Sequence, residues 1–151
     1  MRKTTLIYSA AAMLIAGAIG VSAQATAKPT AVVYKTSSCG CCKMWGEHLK
    51  ANGFTVEAKD VSADEVRAVS KAAGLKDDDT SCHTAKIGGY IVEGHVPAAD
   101  IQRMLKEKPA IAGLAAPGMP QGSPGMEQGS KEPFDVVAFT KDGKTKLYSK
   151  H

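Results

Sequence analysis

The sequence predicts an α/β fold in which a central mixed sheet is flanked by helices and followed by an added C-terminal β-hairpin. Three observations predict it. Strand-like and helix-like segments alternate in the first half of the chain, and two glycine-centred turn signals interrupt strand-like segments in the second half. The composition, with 44% hydrophobic and 23% charged residues, is that of a globular domain. The chain's 151 residues suffice for one domain and exclude a large multidomain enzyme.

The first residues have the pattern of a secretory signal peptide, which we assign to residues 1–25. Arg2 and Lys3 form a short positive region, Leu6–Val21 is uncharged and mostly apolar, and Ala23-Gln24-Ala25 supplies a small-x-small cleavage pattern. A retained membrane anchor is the alternative, but the apolar run is shorter than the roughly 20 residues that cross a bilayer. We therefore expect a periplasmic protein.

The mature chain is then expected to form one domain over residues 30–151, with no membrane span. The formal net charge is +4, and the leader contributes part of it through Arg2 and Lys3. The remaining positive charge is too weak and too dispersed to indicate nucleic acid as a partner.

The first half of the mature chain predicts the order strand, helix, strand, helix. Ala31–Tyr34 is a short apolar run typical of a buried strand. Apolar residues at helical spacing predict a helix over Cys41–Asn52. Phe54–Ala58 then alternates as a half-buried strand, and a capping box at Ser62–Glu65 opens the second helix.

The second half predicts two hairpins separated by a helix. The hairpin strands are Ala85–Ile87 with Tyr90–Glu93, and Phe134–Thr140 with Lys144–Tyr148. Gly88-Gly89 and Asp142-Gly143 supply the two tight turns. Pro97 suits the first turn of a helix that runs to about Lys106. Between this helix and the last hairpin, residues 109–133 hold five of the seven prolines, so we expect an irregular loop there.

Three of the four cysteines lie within four residues, where the first strand gives way to the first helix. Cys39 and Cys42 have CxxC spacing, with Cys41 between them. Unpaired N–H groups at the start of a helix stabilise anions, so the Cys39 thiol should deprotonate readily. In a thioredoxin-like sheet, the segment that enters the third strand runs beside this helix start, and Cys82 directly precedes the predicted third strand. We therefore expect four sulfurs to face one small volume.

Four converging thiols suit more than one kind of site. Copper(I) is soft and shares bridging sulfurs, and one copper per sulfur would cancel the thiolate charge. Zinc also accepts four cysteines, although the adjacent side chains of Cys41 and Cys42 diverge in most backbone conformations. One or two structural disulfides are the third possibility, because an even number of cysteines in an exported protein usually forms them.

Three motifs together carry a family resemblance. Cys39-Gly40-Cys41-Cys42, Ser81-Cys82-His83-Thr84-Ala85 and the segment Gly89–Pro97 resemble the domain-of-unknown-function family of metal-binding proteins that includes the copper-resistance protein CopG. The resemblance covers roughly Thr30 to His151. It implies a thioredoxin-like fold, a periplasmic location, a role in copper resistance and a cysteine-bridged cluster of several copper ions. The ligands that it implies are Cys39, Cys41, Cys42 and Cys82.

Three further residues are candidate ligands of the copper. His83 adjoins Cys82, and an imidazole suits copper either as a ligand or as a hydrogen-bond donor to a bridging sulfur. Met119 and Met126 lie in the proline-rich loop, where a thioether could meet copper(I) that arrives at or leaves the site. The alternative is that both methionines anchor the loop on apolar surface.

We therefore expect an exported copper(I)-binding protein of copper resistance, whose partners are copper ions and other periplasmic copper-resistance proteins. Redox cycling of the copper, which would make it a copper-dependent oxidoreductase, is a hypothesis. The main alternative is a thiol-disulfide oxidoreductase with Cys39 as nucleophile and Cys42 as resolving thiol. A small ferredoxin-like copper chaperone would explain the CxxC pair but leaves Cys41, Cys82 and the last hairpin unexplained.

Overall fold

The computed structural model describes residues 27–76 and 80–151. The signal peptide predicted over residues 1–25 lies outside these ranges. Across the described ranges, none of the helices combines the length and the apolar character that a bilayer crossing requires.

The described residues form seven strands and three helices. The strands are β1 (Thr30–Lys35), β2 (Thr55–Asp60), β3 (His83–Ile87), β4 (Tyr90–Gly94), β5 (Gly113–Ala116), β6 (Asp135–Phe139) and β7 (Thr145–Lys150). The helices are α1 (Gly40–Ala51), α2 (Ala63–Ala72) and α3 (Ala98–Glu107). The predicted α/β class, the order of the first seven elements and the C-terminal hairpin are confirmed.

All seven strands belong to one mixed sheet with the order β2-β1-β3-β4-β5-β6-β7. β1 is parallel to β2 and β4 is parallel to β5, while the other neighbours are antiparallel. In the antiparallel pair of β1 and β3, Lys35 lies opposite His83. The end of β1 and the start of β3 therefore meet at one edge of the sheet, which is the edge where the cysteine-containing segments lie.

Apolar side chains cover both faces of the sheet, because successive residues of a strand point to opposite sides. On one face, Trp45 of α1 and Met104 of α3 belong to the larger core cluster, together with Leu114 of β5. On the other face, Leu75 packs with Ala115 of β5, beside α2. The helices thus flank the sheet on both sides, with α1 and α3 sharing a face.

Trp45 fixes the position of α1 against the sheet. Its side chain is fully buried, and its indole Nε1 donates a hydrogen bond of 2.9 Å to the carbonyl of Val96. A buried N–H without a partner would cost about 1–3 kcal/mol, so this bond favours one placement of the helix. The same bond therefore also positions the cysteines at the start of α1.

The prediction of irregular structure throughout residues 109–133 is wrong at β5. Gly113–Ala116 forms a fully buried strand between β4 and β6. Its sequence, GLAA, is too short to show a periodicity, and glycine and alanine have little β propensity. Pairing on both sides overrides that local preference. Residues 117–133 contain no helix or strand, as predicted.

Gly113 should not tolerate a side chain. A Cβ there would overlap the carbonyl group of Ile91 and lie 2.8 Å from the Phe139 ring. We expect Gly113→Ala to lower the free energy of unfolding by about 1–3 kcal/mol, measured by urea unfolding. Gly46→Ala is the control, because its Cβ would lie 3.7 Å from Val56 Cγ1 within a helix. We expect Gly46→Ala to raise the free energy of unfolding by about 0.5–1 kcal/mol. If Gly113→Ala left the urea midpoint of unfolding unchanged, the structure would be wrong in giving no room for a Cβ at this position of β5.

Candidate metal centre

Cys39 caps the N-terminus of α1. Its backbone is extended, and its Sγ accepts a hydrogen bond of 3.3 Å from the backbone N–H of Cys42. A sulfur thus occupies the position that a serine or aspartate oxygen usually takes at a helix start. The free N–H groups and the helix dipole favour negative charge at this sulfur.

The four sulfur atoms converge, as the sequence predicts. Cys82 Sγ lies 3.2 Å from Cys39 Sγ and 3.2 Å from Cys42 Sγ. Cys41 Sγ lies 3.6 Å from Cys39 Sγ. All four sulfurs lie within 4.8 Å of one another. We call this group the sulfur cluster.

The sulfur cluster is partly oxidised. Cys39 and Cys42 form a disulfide with a Cα–Cα distance of 5.3 Å, whereas Cys41 and Cys82 are free thiols. A disulfide therefore joins one pair of cysteines and not the other. A disulfide sulfur lacks the negative charge of a thiolate, so this pair must be reduced before all four sulfurs can bind a metal.

Burial sets the ionisation of the free thiol at Cys82. Partial burial, reinforced by the neighbouring Cys41, raises the pKa of Cys82 to about 11. At neutral pH this thiol keeps its proton in the metal-free protein. A metal ion that binds here must displace the proton, so binding releases acid and strengthens as the pH rises.

His83 lies behind the sulfur cluster, inside the core. The ring is buried between Trp45 and His95, with ring centroids at 4.7 and 4.9 Å. Its Nε2 donates a hydrogen bond of 3.1 Å to the carbonyl of Gly94. Burial lowers the pKa of His83 to about 3, so the ring is neutral. The structure does not bring His83 into the sulfur cluster, which among the described residues contains cysteines alone.

The two methionines of the proline-rich loop both come close to the cysteines. Met119 Sδ lies 3.9 Å from Cys82 Sγ, and the Met119 side chain is 42% exposed. Met126 lines a cavity of 360 Å³ together with Cys41 and Met44. Each methionine therefore approaches a different cysteine.

Gly125 allows the loop to lie directly on α1. It has a φ of +86°, and a Cβ there would lie 2.8 Å from Trp45 N and 2.9 Å from the Cys41 carbonyl. His95 holds the same stretch of loop, because its Nδ1 donates a hydrogen bond of 2.8 Å to the carbonyl of Pro124. The loop is thus fixed against the helix that carries Cys41.

The sequence did not predict the contacts that three residues make in this region. Met44 follows Cys41 by three positions on a helix, a spacing that places both on one face, so a signal existed for it. His95 and Glu93 lie in the Gly89–Pro97 motif of the family resemblance, which did not indicate their contacts. The buried Glu93 carboxylate accepts hydrogen bonds from Ser70 Oγ at 2.7 Å and from the backbone N–H of Ser81 at 2.5 Å. It therefore fixes the segment that carries Cys82.

The chain is similar to known proteins over most of its length. The sequence model of the family described as "Protein of unknown function, DUF411" matches residues 80–126. A solved structure of copper resistance protein CopG, form 2, has 43% sequence identity to the chain and a TM-score of 0.74. Form 1 has 41% identity and a TM-score of 0.74. Each match covers 82% of this chain and 98% of the CopG chain. No curated protein sequence matches.

The raised pKa of Cys82 predicts the pH dependence of its alkylation. In the disulfide form, we expect the iodoacetamide rate at Cys82 to rise about tenfold per pH unit below its pKa, because only the thiolate reacts. Peptide mass spectrometry between about pH 7 and pH 10 measures this rate, and circular dichroism checks that the chain stays folded. Restricted access would scale the rate equally at every pH. A plateau below about pH 9 would contradict the pKa of about 11.

Proposed function

Because the chain belongs to the DUF411 family, which includes the copper resistance protein CopG, we propose that it binds copper(I) through the sulfur cluster as part of copper resistance. The proposed ligands are Cys39, Cys41, Cys42 and Cys82. One observation carries the proposal: the four sulfurs, contributed by segments 40 residues apart in the chain, lie within 4.8 Å of one another.

The proposed site holds several copper ions. Copper(I) binds two or three thiolates and shares bridging sulfurs, and four close sulfurs offer many such bridges. Four thiolates in a partly buried site would repel one another. One copper(I) per sulfur cancels that charge, which makes a multinuclear cluster compatible with burial. The Cys39–Cys42 disulfide is reduced in this copper-binding state.

Zinc is the closest competitor as the metal. Four sulfurs around one zinc at roughly 2.3 Å would lie about 3.8 Å apart, which is within the range of separations in the sulfur cluster. Met119 favours copper, because its thioether lies 3.9 Å from Cys82 Sγ and thioethers are soft copper(I) ligands outside the usual zinc set. We propose Met119 as an additional ligand, and His83 as a buried support that packs behind the site.

The proposal includes the thioredoxin-like arrangement. It is supported by the element order from β1 to α3 and by the order β2-β1-β3-β4 in the sheet. Residues 30–151 would form the copper-binding domain, with β7 closing the sheet. Removal of residues 1–25 would place this domain in the periplasm, where other copper-resistance proteins are its proposed partners.

A redox role is a further part of the proposal. Cys41 and Cys82 are half-buried and Met119 is exposed, so a partner that donates or accepts electrons can approach the site closely. Copper that cycled between its two oxidation states here would make the protein a copper-dependent oxidoreductase.

Anaerobic titration with copper(I), followed by native mass spectrometry, tests the proposed function. We expect the reduced chain without residues 1–25 to bind more than two coppers. Cys82→Ser should lower the number bound and weaken affinity by at least about tenfold, since it removes a sulfur that contacts two others. Met104→Leu, a change in the core, is the control and should match the wild type. Fewer than two coppers per wild-type chain, or wild-type binding by Cys82→Ser, would contradict the proposal.

The disulfide itself favours a second candidate, a thiol-disulfide oxidoreductase. In the reduced protein, the Cys39 thiolate would attack a substrate disulfide and release one substrate thiolate. Cys42 would then attack the mixed disulfide, forming the Cys39–Cys42 bond and releasing the second thiolate. Cys39 at the helix start and the buried Cys42 suit these two roles.

Reduction of insulin by the metal-free protein separates the two candidates. We expect rates far below those of thioredoxin, because Cys82 lies 3.2 Å from both active sulfurs and competes with the substrate for them. Cys39→Ser supplies the baseline rate. Thioredoxin-like rates that Cys82→Ser left unchanged would favour the oxidoreductase.

A further inference from the structure

We propose that the cavity beside Cys41 is a copper(I) capture site, where the thioethers of Met44 and Met126 hold an incoming ion before it moves to the sulfur cluster. This inference rests on the proposed function. It assigns to Met44, a residue outside the sulfur cluster, a direct contact with copper.

Two separate elements build the cavity. Met44 comes from α1, one turn after Cys41, and Met126 comes from the loop that crosses this end of the helix. Its volume of 360 Å³ is several times that of a water molecule, which leaves room for an ion together with a small carrier ligand. Met44 is 39% exposed, so the cavity is accessible from solvent.

The chemistry of the lining selects soft ions. Besides the two thioethers, the side-chain donors are the Cys41 thiol and the amides of Gln121 and Gln128. The lining contains no charged side chain, so a hard or divalent cation finds no charge compensation there. A thioether binds copper(I) without losing a proton, unlike a thiol.

Cys41 connects the cavity to the sulfur cluster and would accept the captured ion from the thioethers. It lines the same cavity as the thioethers and lies 3.6 Å from Cys39 in the sulfur cluster. A neutral thioether holds copper(I) less tightly than an anionic thiolate, so transfer towards Cys41 is downhill in free energy. Met119, by contrast, contacts Cys82. Met119 therefore lies beside the sulfur cluster at Cys82, whereas Met44 and Met126 lie beside it at Cys41.

Hydrogen bonds hold the thioether of Met44 and the backbone of Met126. Gln128 Nε2 donates a weak hydrogen bond of 3.9 Å to Met44 Sδ. Met126 is held in a tight turn, since its N–H donates to the Ser123 carbonyl and its carbonyl accepts from the Gly122 N–H, both at 2.8 Å. With Gly125 against α1, this turn keeps Met126 beside the helix face that carries Met44.

Copper loading kinetics test the capture site. The reduced chain without residues 1–25 takes copper(I) from its coloured bicinchoninate complex in an anaerobic stopped-flow experiment. We expect Met44→Leu combined with Met126→Leu to slow loading by roughly tenfold, the effect of losing a supporting ligand group. The final number of coppers should stay that of the wild type. Leucine preserves size and apolar character, and Met104→Leu in the buried core is the matched control.

Methyl spectra of the wild type provide an independent test. With ¹³C-labelled methionine methyl groups, copper(I), added as its acetonitrile complex beyond the amount that fills the sulfur cluster, should shift or broaden the Met44 and Met126 signals. The buried Met104 signal should stay unchanged.

The outcomes separate this inference from the proposed function. A wild-type loading rate in the double variant would overturn the capture site, as would unperturbed Met44 and Met126 signals. A reduced copper number in the double variant would also overturn it, because the methionines would then be ligands of the final cluster. A wild-type chain that takes up no copper at all would refute the proposed function itself.

Discussion

The antiparallel pairing of β1 with β3 is the constraint on which the rest of the site depends. Lys35 lies opposite His83, so the segment leaving β1 towards Cys39 runs beside the segment that carries Cys82 into β3. That register brings together sulfurs separated by 40 residues along the chain. A shift by one residue would turn Cys82 to the other side of the sheet, since side chains alternate along a strand. Backbone hydrogen bonds of the sheet, rather than contacts between cysteines, thus create the soft-donor site.

Buried polar contacts hold this arrangement from behind. Trp45 ties α1 to the carbonyl of Val96, and His83 packs against its indole ring while donating to the carbonyl of Gly94. On the other face of the sheet, Glu93 accepts the N–H of Ser81, directly before Cys82. Each of these groups would be costly to leave unpaired in the core, so together they restrict the cysteine segments to a narrow range of positions. Such preorganisation suits a site whose ligands repel one another once they lose their protons.

The disulfide of the sulfur cluster and the proposed copper binding use the same sulfur atoms, so each excludes the other at any moment. With Cys39 and Cys42 joined, two of the four sulfurs are neutral and Cys82 keeps its proton. With the disulfide reduced, four thiols face one another, and a soft cation that binds them would displace their protons and balance the charge of the resulting thiolates. The methionines extend the soft donor set outward, towards Cys82 through Met119 and towards Cys41 through Met44 and Met126. Under the proposed function, oxidation of the cysteines and binding of copper would therefore be linked through the same sulfur atoms.

Local sequence by itself determined most of the helices and strands, and it determined that the first three cysteines lie at the start of α1. The apolar run of β1, the helical spacing after Cys41, the capping box at Ser62–Glu65 and the turn at Asp142-Gly143 each act over a few residues, and the structure contains the corresponding elements. Only the tertiary structure decided the rest. β5 exists because β4 and β6 pair with it, and its four residues carry no pattern of their own. The sequence predicted that Cys82 lies near the other cysteines only by way of a thioredoxin-like sheet. Its actual position depends on the register of β1 and β3. The burial of His83 and the position of Met44 and Met126 along one cavity arise from packing between segments distant in the chain, which no local periodicity encodes.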